Sequence, residues 1–172
     1  SLLEQHTFDI QHKIEYEILN EDGLVYQSRI KQLKAELKED EYYEEIFIRG
    51  GLFKKAIPQI YNYQCCISGM KIETASNAQM VDACHIIPFS LSHNDTIPNG
   101  LSLSPNLHRA FDRGLLTINR DYKVIISSTV KDNESVYSIS QFSDKKIILP
   151  KFSKYHPSFE SLNWHSKEVF QS

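Results

Sequence analysis

Two histidines and an asparagine carry the side chains best suited to catalysis. His85 lies in the apolar segment VDACHII, Asn99 follows a polar stretch, and His108 stands near the start of an expected helix. A neutral imidazole can accept a proton from water near neutral pH, and imidazole is also a good ligand for a divalent metal. In this order and spacing, the three residue types could assemble a one-metal site that cleaves phosphodiesters.

A compact ββα unit is expected to position these side chains. Residues 79–87 form a strand-like run that Pro88 limits, and the alternation at 101–103 predicts a second short strand. Ser104-Pro105 predicts a helix start, because Ser can cap a helix and Pro suits the first helical position. That helix should end at about Phe111 or Asp112, with Gly114 as its stop.

Side-chain alternation along the first strand separates two tasks. Asp82 and Cys84 should lie on the strand face opposite to that of His85. Asp82 is the only hard-oxygen ligand candidate on that strand. One face of the strand could therefore supply the base that activates water, and the other face could supply a ligand for the metal that binds the phosphate.

The composition is that of an ordinary soluble domain. The chain has 172 residues, of which 41% are apolar and 24% charged. No apolar run approaches the roughly 20 residues that span a bilayer, and the N-terminus lacks a signal pattern, so no membrane partner is expected. Three cysteines, two of them adjacent, make a poor disulfide framework. We therefore expect a reducing, cytoplasmic setting.

The charge divides the chain into two parts. Residues 1–48 hold 5 Lys/Arg and 12 Asp/Glu, whereas residues 49–172 hold 14 and 10. We predict an acidic N-terminal segment at 1–48, a lobe or the tail of a preceding domain, and a catalytic domain at 49–172. The acidic run LKEDEYYEE also fits a plain solvated helix face.

The remaining patterns predict further elements. Residues 24–38 have helical spacing, residues 8–19 fit a strand or a helix, and Gly50-Gly51 is expected to break the chain before a helix at about 51–62. A hairpin is predicted around the turn 119–121, followed by a further strand at 147–149 and a closing helix within 158–170.

The chain resembles the HNH endonucleases, also called ββα-metal nucleases. The resemblance is to the subgroup with A-H-I-x-P followed by N-G-L-x-L-x-x-x-L-H-x-x-F-D-x-G, which reads here ACHIIP and NGLSLSPNLHRAFDRG. Upstream Arg49, Phe53, Lys54 and the turn CISG also match, as does LNWH downstream. The resemblance covers 49 to about 170. It implies an α+β fold, a ββα-metal (HNH) core with an added β-hairpin and flanking helices.

The resemblance also implies roles. His85 falls on the general base, Asn99 on the residue that holds the loop and orients the base, and His108 on a metal ligand. Many members carry Asp directly before the base, where this chain has Cys84. Asp82, on the same strand face as Cys84, is expected to substitute as ligand. Asp112 lies four residues after His108 on the same helix face, and could be a further ligand or an orienting group.

The implied cofactor is one divalent metal ion. Mg²⁺ is expected, with Mn²⁺, Ni²⁺ or Zn²⁺ as alternatives. Many HNH proteins also bind a structural zinc through two C-x-x-C pairs, but here only Cys66 matches, and Gly69, Ser104 and Leu107 occupy the other positions. A structural zinc is therefore not expected.

The implied partner is DNA. Four side chains could contact its backbone, or could equally be surface charge or members of internal ion pairs: Arg109, Arg113, Lys54 and Lys55. The leading hypothesis is a metal-dependent DNA endonuclease, with restriction or phage defence as a natural setting. The alternative is a non-catalytic DNA- or protein-binding module that retains the HNH fold. A third is a regulatory or dimerising fragment that works through 1–48, and a homodimer is left open.

Overall fold

Three long helices form the N-terminal third of the chain. The computed structural model describes residues 1–172, and its first elements are α1 (Leu2–Asn20), α2 (Gly23–Glu36) and α3 (Glu39–Ile60). Residues 8–19 are thus helical. Ser1 and Glu4 form a capping box at the start of α1, and the Asp22 side chain accepts a hydrogen bond from Leu24 N at the start of α2.

Helix α3 runs without interruption across the predicted boundary between residues 48 and 49. The predicted break at Gly50-Gly51 is wrong, because both glycines lie inside the helix. A helical glycine costs only about 1 kcal/mol relative to Ala, and the buried face that includes Arg49, Phe53 and Ile57 outweighs that cost. The division into 1–48 and 49–172 stays a prediction.

The ββα unit follows α3. Strand β1 (Asp82–His85) pairs antiparallel with β2 (Gly100–Leu103), with His85 opposite Gly100. β1 is shorter than the predicted run 79–87. A Cβ on Gly100 would overlap the side chains of Ile57 and Phe53, so glycine there lets the sheet approach α3 closely.

The connection between β1 and β2 contains the short helix α4 (Phe89–Ser92) and a 3₁₀ turn at Ile97–Asn99. Helix α5 (Pro105–Asp112) follows β2 and begins directly after Ser104, as the Ser-Pro pair predicts. The chain leaves α5 through Gly114, whose φ of +69° suits a residue without a Cβ.

Two further strands and a helix complete the α+β fold. Strands β3 (Leu116–Ile118) and β4 (Val124–Ile126) pair antiparallel, and helix α6 (Phe159–Glu168) begins after the capping residue Ser158. The predicted strand at 147–149 is absent. Ile147 N donates to Tyr122 O and Ile148 N donates to Cys66 O, so the segment divides its backbone bonds between two neighbours instead of forming one ladder.

One hydrophobic core joins the N-terminal helices to the ββα unit. It includes Ile18, Tyr26, Phe53, Leu101 and Phe111, all buried. Because these residues come from both sides of α3, the helices and the small sheet share a single interior. None of the helices is long and apolar enough to cross a bilayer.

Candidate active site

His85 lies at the end of β1, where one ring nitrogen is hydrogen-bonded and one ring face is stacked on another side chain. Its Nε2 is 2.6 Å from Oδ1 of Asp95. The Phe53 ring from α3 stacks on the imidazole, with the ring centroids 3.9 Å apart and the planes at 10°. The His85 side chain remains 21% exposed. The ring is therefore fixed in orientation while part of it stays open to solvent.

Asp95 is the residue of this site that the sequence analysis missed. It lies in the connection between β1 and β2, where polar residues normally face water, and yet it is only 1% exposed. Its Oδ1 contacts His85, and its Oδ2 is buried without a hydrogen-bond partner. Only the fold reveals that this loop turns its carboxylate inward.

Asn99 ties the same connection together. Its Oδ1 accepts from Ile87 N at 3.0 Å, and its Nδ2 donates to Ile87 O at 2.9 Å and to Asn94 O at 3.0 Å. Asn99 makes no hydrogen bond to His85. It reaches the histidine only indirectly, by holding the backbone next to Asp95.

His108 of α5 lies between two carboxylates. Its Nδ1 is 2.9 Å from Oδ2 of Asp82, and its Nε2 is 3.2 Å from Oδ2 of Asp112. Asp112, and to a lesser degree Asp82, raise the pKa of His108 to about 9 against the effect of its partial burial. Without a bound cation the ring is therefore an imidazolium at neutral pH.

The side chain of Cys84, on β1, lies close to His108 and Asp112. Ligand atoms of Cys84, His108 and Asp112 all lie within 4.8 Å of one another. The Cys84 thiol is buried, and its pKa is raised by burial and then by the charge of Asp112. Because the two nitrogens of an imidazole point in different directions, an ion on Nδ1 of His108 would have Asp82 beside it. An ion on Nε2 would instead have Asp112 nearby.

Both histidines line one cleft. Its volume is about 340 Å³, and its walls include His85, Phe89, His108, Asp112 and His165. The two imidazoles from β1 and α5 thus face the same space. A proton acceptor and a candidate cation site in one open cleft can act on a single bound molecule.

Residues 65–119 match the model of a family described as HNH endonuclease. This HNH segment contains the ββα unit and strand β3, and the match supports a nuclease. The match covers fewer residues than the sequence resemblance, which extends from 49 to about 170. Membership of the narrower motif subgroup stays a prediction. None of the curated proteins matches the chain.

The solved structures similar to the chain include that of the "Modification dependent TagI restriction endonuclease". The TM-score is 0.48 at 22% sequence identity, and the alignment covers 68% of this chain. The chain matches only 37% of that protein's length.

The turn that opens the HNH segment is held by backbone bonds. Cys66 N donates to Ser102 O at 2.8 Å, and Ile148 N donates to Cys66 O at 2.7 Å. The Cys66 side chain is fully buried. These bonds tie the turn both to β2 and to the C-terminal region.

His165 of α6 supports the HNH segment from outside it. Its Nε2 donates to Phe111 O at 2.9 Å, its Nδ1 is 2.8 Å from the Thr117 hydroxyl, and its ring stacks on Phe111 at 3.6 Å. Burial lowers the pKa of His165. The imidazole is therefore neutral, and it holds the end of α5 against β3 and α6.

The four predicted DNA contacts are all exposed to solvent: Arg109, Arg113, Lys54 and Lys55. None of them takes part in an ion pair. Lys54 follows Phe53, which stacks on His85, and Arg109 follows His108. Their charges are thus free for a phosphate.

Proposed function

We propose that this chain is a metal-dependent endonuclease that hydrolyses phosphodiester bonds of DNA in the cleft between β1 and α5. One observation carries the proposal: His85 and His108 line the same cleft. His85 contacts Asp95, whereas His108 lies between Asp82 and Asp112. The HNH match over residues 65–119 supports the nuclease class.

His85 is proposed as the general base. A carboxylate only accepts hydrogen bonds, so Asp95 at 2.6 Å keeps a proton on Nε2 of His85 and leaves the lone pair of Nδ1 free. Nδ1 can then take the proton of the attacking water. The imidazolium that forms faces the Asp95 carboxylate, which stabilises it. Asn99 contributes by fixing the loop that carries Asp95.

The residues around His108 fit a divalent cation. Imidazole nitrogen and carboxylate oxygen are suitable donors, and two carboxylates beside one imidazole leave negative charge for a cation to neutralise. We propose Asp82 and His108 as ligands of an ion on Nδ1, with Asp112, beside Nε2, as an orienting group. An ion on Nε2 would instead take Asp112 as its carboxylate ligand. A divalent ion bound there would supply positive charge to a phosphate whose negative charge grows during attack.

The expected ion is Mg²⁺, because the proposed carboxylate ligands are hard oxygen donors. Mn²⁺, Ni²⁺ and Zn²⁺ remain alternatives, and a contribution from Cys84 would favour the softer ions. Arg109, Arg113, Lys54 and Lys55 are proposed to bind backbone phosphates on either side of the scissile one. Restriction or phage defence in the cytoplasm is the proposed setting.

Two alanine variants test these roles separately. His85→Ala should lose nicking of supercoiled plasmid while it still binds Mn²⁺ in a calorimetric titration. His108→Ala should lose both, because it removes a ligand. Equal nicking by wild type and His85→Ala would refute the assignment of the base.

A wild-type protein that binds plasmid but nicks none with Mg²⁺, Mn²⁺ or Ni²⁺ would instead support the non-catalytic binding module. One feature favours that alternative: Cys84 stands where many HNH proteins carry Asp. The same assay with Cys84→Asp would show whether this residue alone limits cleavage.

A further inference from the structure

Cys84 of β1 and Asp112 of α5 meet at the Nε2 end of the His108 ring. Oδ2 of Asp112 is 3.2 Å from Nε2 of His108, and Oδ1 of the same carboxylate is 3.9 Å from the Cys84 sulfur. Ligand atoms of all three residues lie within 4.8 Å of one another. The Asp112 carboxylate therefore lies next to both an imidazole nitrogen and a thiol.

The spacing of these atoms fits a tetrahedral ion. Zinc lies about 2.0–2.3 Å from its nitrogen, oxygen and sulfur ligands, so two of its ligands are about 3.3–3.6 Å apart. The contacts of 3.2 and 3.9 Å lie on either side of that separation. Small movements of the side chains would thus close the three atoms around one ion and leave its fourth position open to the cleft.

The other end of the His108 ring has the partner that such an ion requires. Nδ1 lies 2.9 Å from Oδ2 of Asp82. A metal-bound histidine usually donates its second ring N–H to a carboxylate, which fixes the tautomer and makes the ligating nitrogen more basic. When the proton is on Nδ1, the lone pair of the neutral ring is on Nε2, the nitrogen beside Asp112.

The donor set differs from the one proposed for Mg²⁺. Mg²⁺ prefers oxygen ligands and keeps several waters, whereas thiolate sulfur selects softer ions such as Zn²⁺. The Cys84 side chain is completely buried, while those of His108 and Asp112 are 27% and 57% exposed. An ion that enters from the cleft thus meets nitrogen and oxygen first and the sulfur last.

We propose that Cys84, His108 and Asp112 form a binding site for a thiophilic divalent ion such as Zn²⁺, and that this ion excludes Mg²⁺ from the Asp82–His108 pair. On binding, the S–H bond of Cys84 and the N–H bond at Nε2 of the His108 imidazolium break, both atoms bond to the ion, and two protons pass to water. A neutral imidazole has a single lone pair, so His108 cannot ligate at Nδ1 and Nε2 at once. The exclusion of Mg²⁺ rests on the proposed function, whereas the thiophilic site does not.

Titration with Co²⁺ tests the site directly, because a cobalt–thiolate bond gives an intense absorption band in the near ultraviolet. Wild type should develop this band and Cys84→Ser should lack it. Cys65→Ser is the matched control, because it removes another buried free thiol, and it should keep the band. Wild type without the band, or Cys84→Ser with it, would overturn the site. Midpoints of thermal unfolding show whether the variants fold, and Cys84→Ala, which keeps the position apolar, replaces the serine variant if that one unfolds.

The other two ligands are tested by the Co²⁺ concentration that produces the band. His108→Ala and Asp112→Asn should each need at least about tenfold more Co²⁺ than wild type, since even outer-shell partners change metal affinity by that much. Asp121→Asn, an exposed carboxylate in the turn between β3 and β4, should titrate like wild type. If His108→Ala and Asp112→Asn also titrate like wild type, the ion on Cys84 is held by other residues and the assignment is wrong.

Competition between ions tests the exclusion of Mg²⁺. Zn²⁺ should inhibit Mg²⁺-dependent nicking by wild type and Cys65→Ser at concentrations at least about tenfold below those that inhibit Cys84→Ser. Nicking that Zn²⁺ leaves unchanged, or inhibits equally in all three proteins, would overturn the exclusion. Release of bound Mn²⁺ by Zn²⁺, followed by the EPR signal of free Mn²⁺, gives the same comparison without cleavage. If the protein cleaves no DNA, the cobalt band and the Mn²⁺ release still decide this inference.

Discussion

The two histidines of the cleft both contact carboxylates, but in opposite surroundings. His85 meets a single carboxylate, Asp95, which is 1% exposed, whereas His108 lies between Asp82 and Asp112, which are 45% and 57% exposed. A single buried partner fixes a ring and its tautomer. Two exposed partners give an excess of negative charge that water can reach. The first arrangement suits the transfer of a proton, and the second suits the binding of a cation.

The supports of the two histidines also come from different parts of the chain. Phe53 of α3 stacks on His85. His108 contacts residues of β1 and of its own helix. The proposed metal site is thus built within the HNH segment, whereas the proposed base also depends on a helix outside it, α3.

Asp95→Asn should give the largest effect on turnover, because it changes the support of the proposed base and leaves the proposed metal site intact. An amide can donate to Nε2 of His85 and so favour the wrong tautomer. We expect turnover to fall by about 10²–10⁴-fold, the usual contribution of general-base catalysis. Mn²⁺ affinity, measured by calorimetry, should stay at the wild-type value. A loss of metal affinity equal to that of His108→Ala would show that the two sites are not separate.

Asp82→Asn and Asp112→Asn should give the converse result. Each removes one charge beside His108, and we expect the affinity for Mn²⁺ to fall at least about tenfold for whichever carboxylate is a ligand, since even outer-shell partners change it by that much. Asp121→Asn, at an exposed turn between β3 and β4, is the control. If neither variant differs from that control, the metal lies elsewhere.

The sequence predicts the secondary-structure elements around this site, for identifiable reasons. Ser104-Pro105 and Gly114 mark the ends of α5, because the φ of a proline at the first helical position and a positive φ at glycine depend only on residues close in the chain; the Ser104 side chain makes no capping bond. The strand-like run at 79–87 correctly indicates a strand, although β1 is limited to Asp82–His85. The resemblance to HNH endonucleases points to the segment that the family model matches.

The parts that depend on distant contacts could not be predicted. The Gly50-Gly51 pair reads locally as a break, and only the packing of α3 against both α1 and the sheet makes it helical. Asp95 reads as a solvated loop residue. Nothing local in the sequence links it to His85, since the two come together only when the β1–β2 connection folds back onto β1.

Without metal, the pH dependence of stability should reveal the contacts of His108. The folded pKa of His108 is raised from 6.5 to about 9 by Asp112 and Asp82. Its stabilising contribution is therefore complete below pH 6.5 and is lost as the pH rises towards about 9. Urea unfolding in EDTA should show wild type losing stability across this window relative to His108→Gln. Parallel curves for the two proteins would show that the carboxylates do not hold a proton on His108.

The smallest effects are expected from the exposed cations that follow Phe53 and His108 in the sequence. Arg109 follows His108 on α5, and Lys54 follows Phe53 on α3. In a His85→Ala background that prevents cleavage, Arg109→Ala and Lys54→Ala should each lower the slope of log affinity for DNA against log salt by about one. Lys34→Ala, on the exposed face of α2, should leave the slope unchanged. A slope that changes for Arg109 but not for Lys54 would confine the DNA path to the metal side of the cleft, and DNA would then reach the base only at the scissile phosphate.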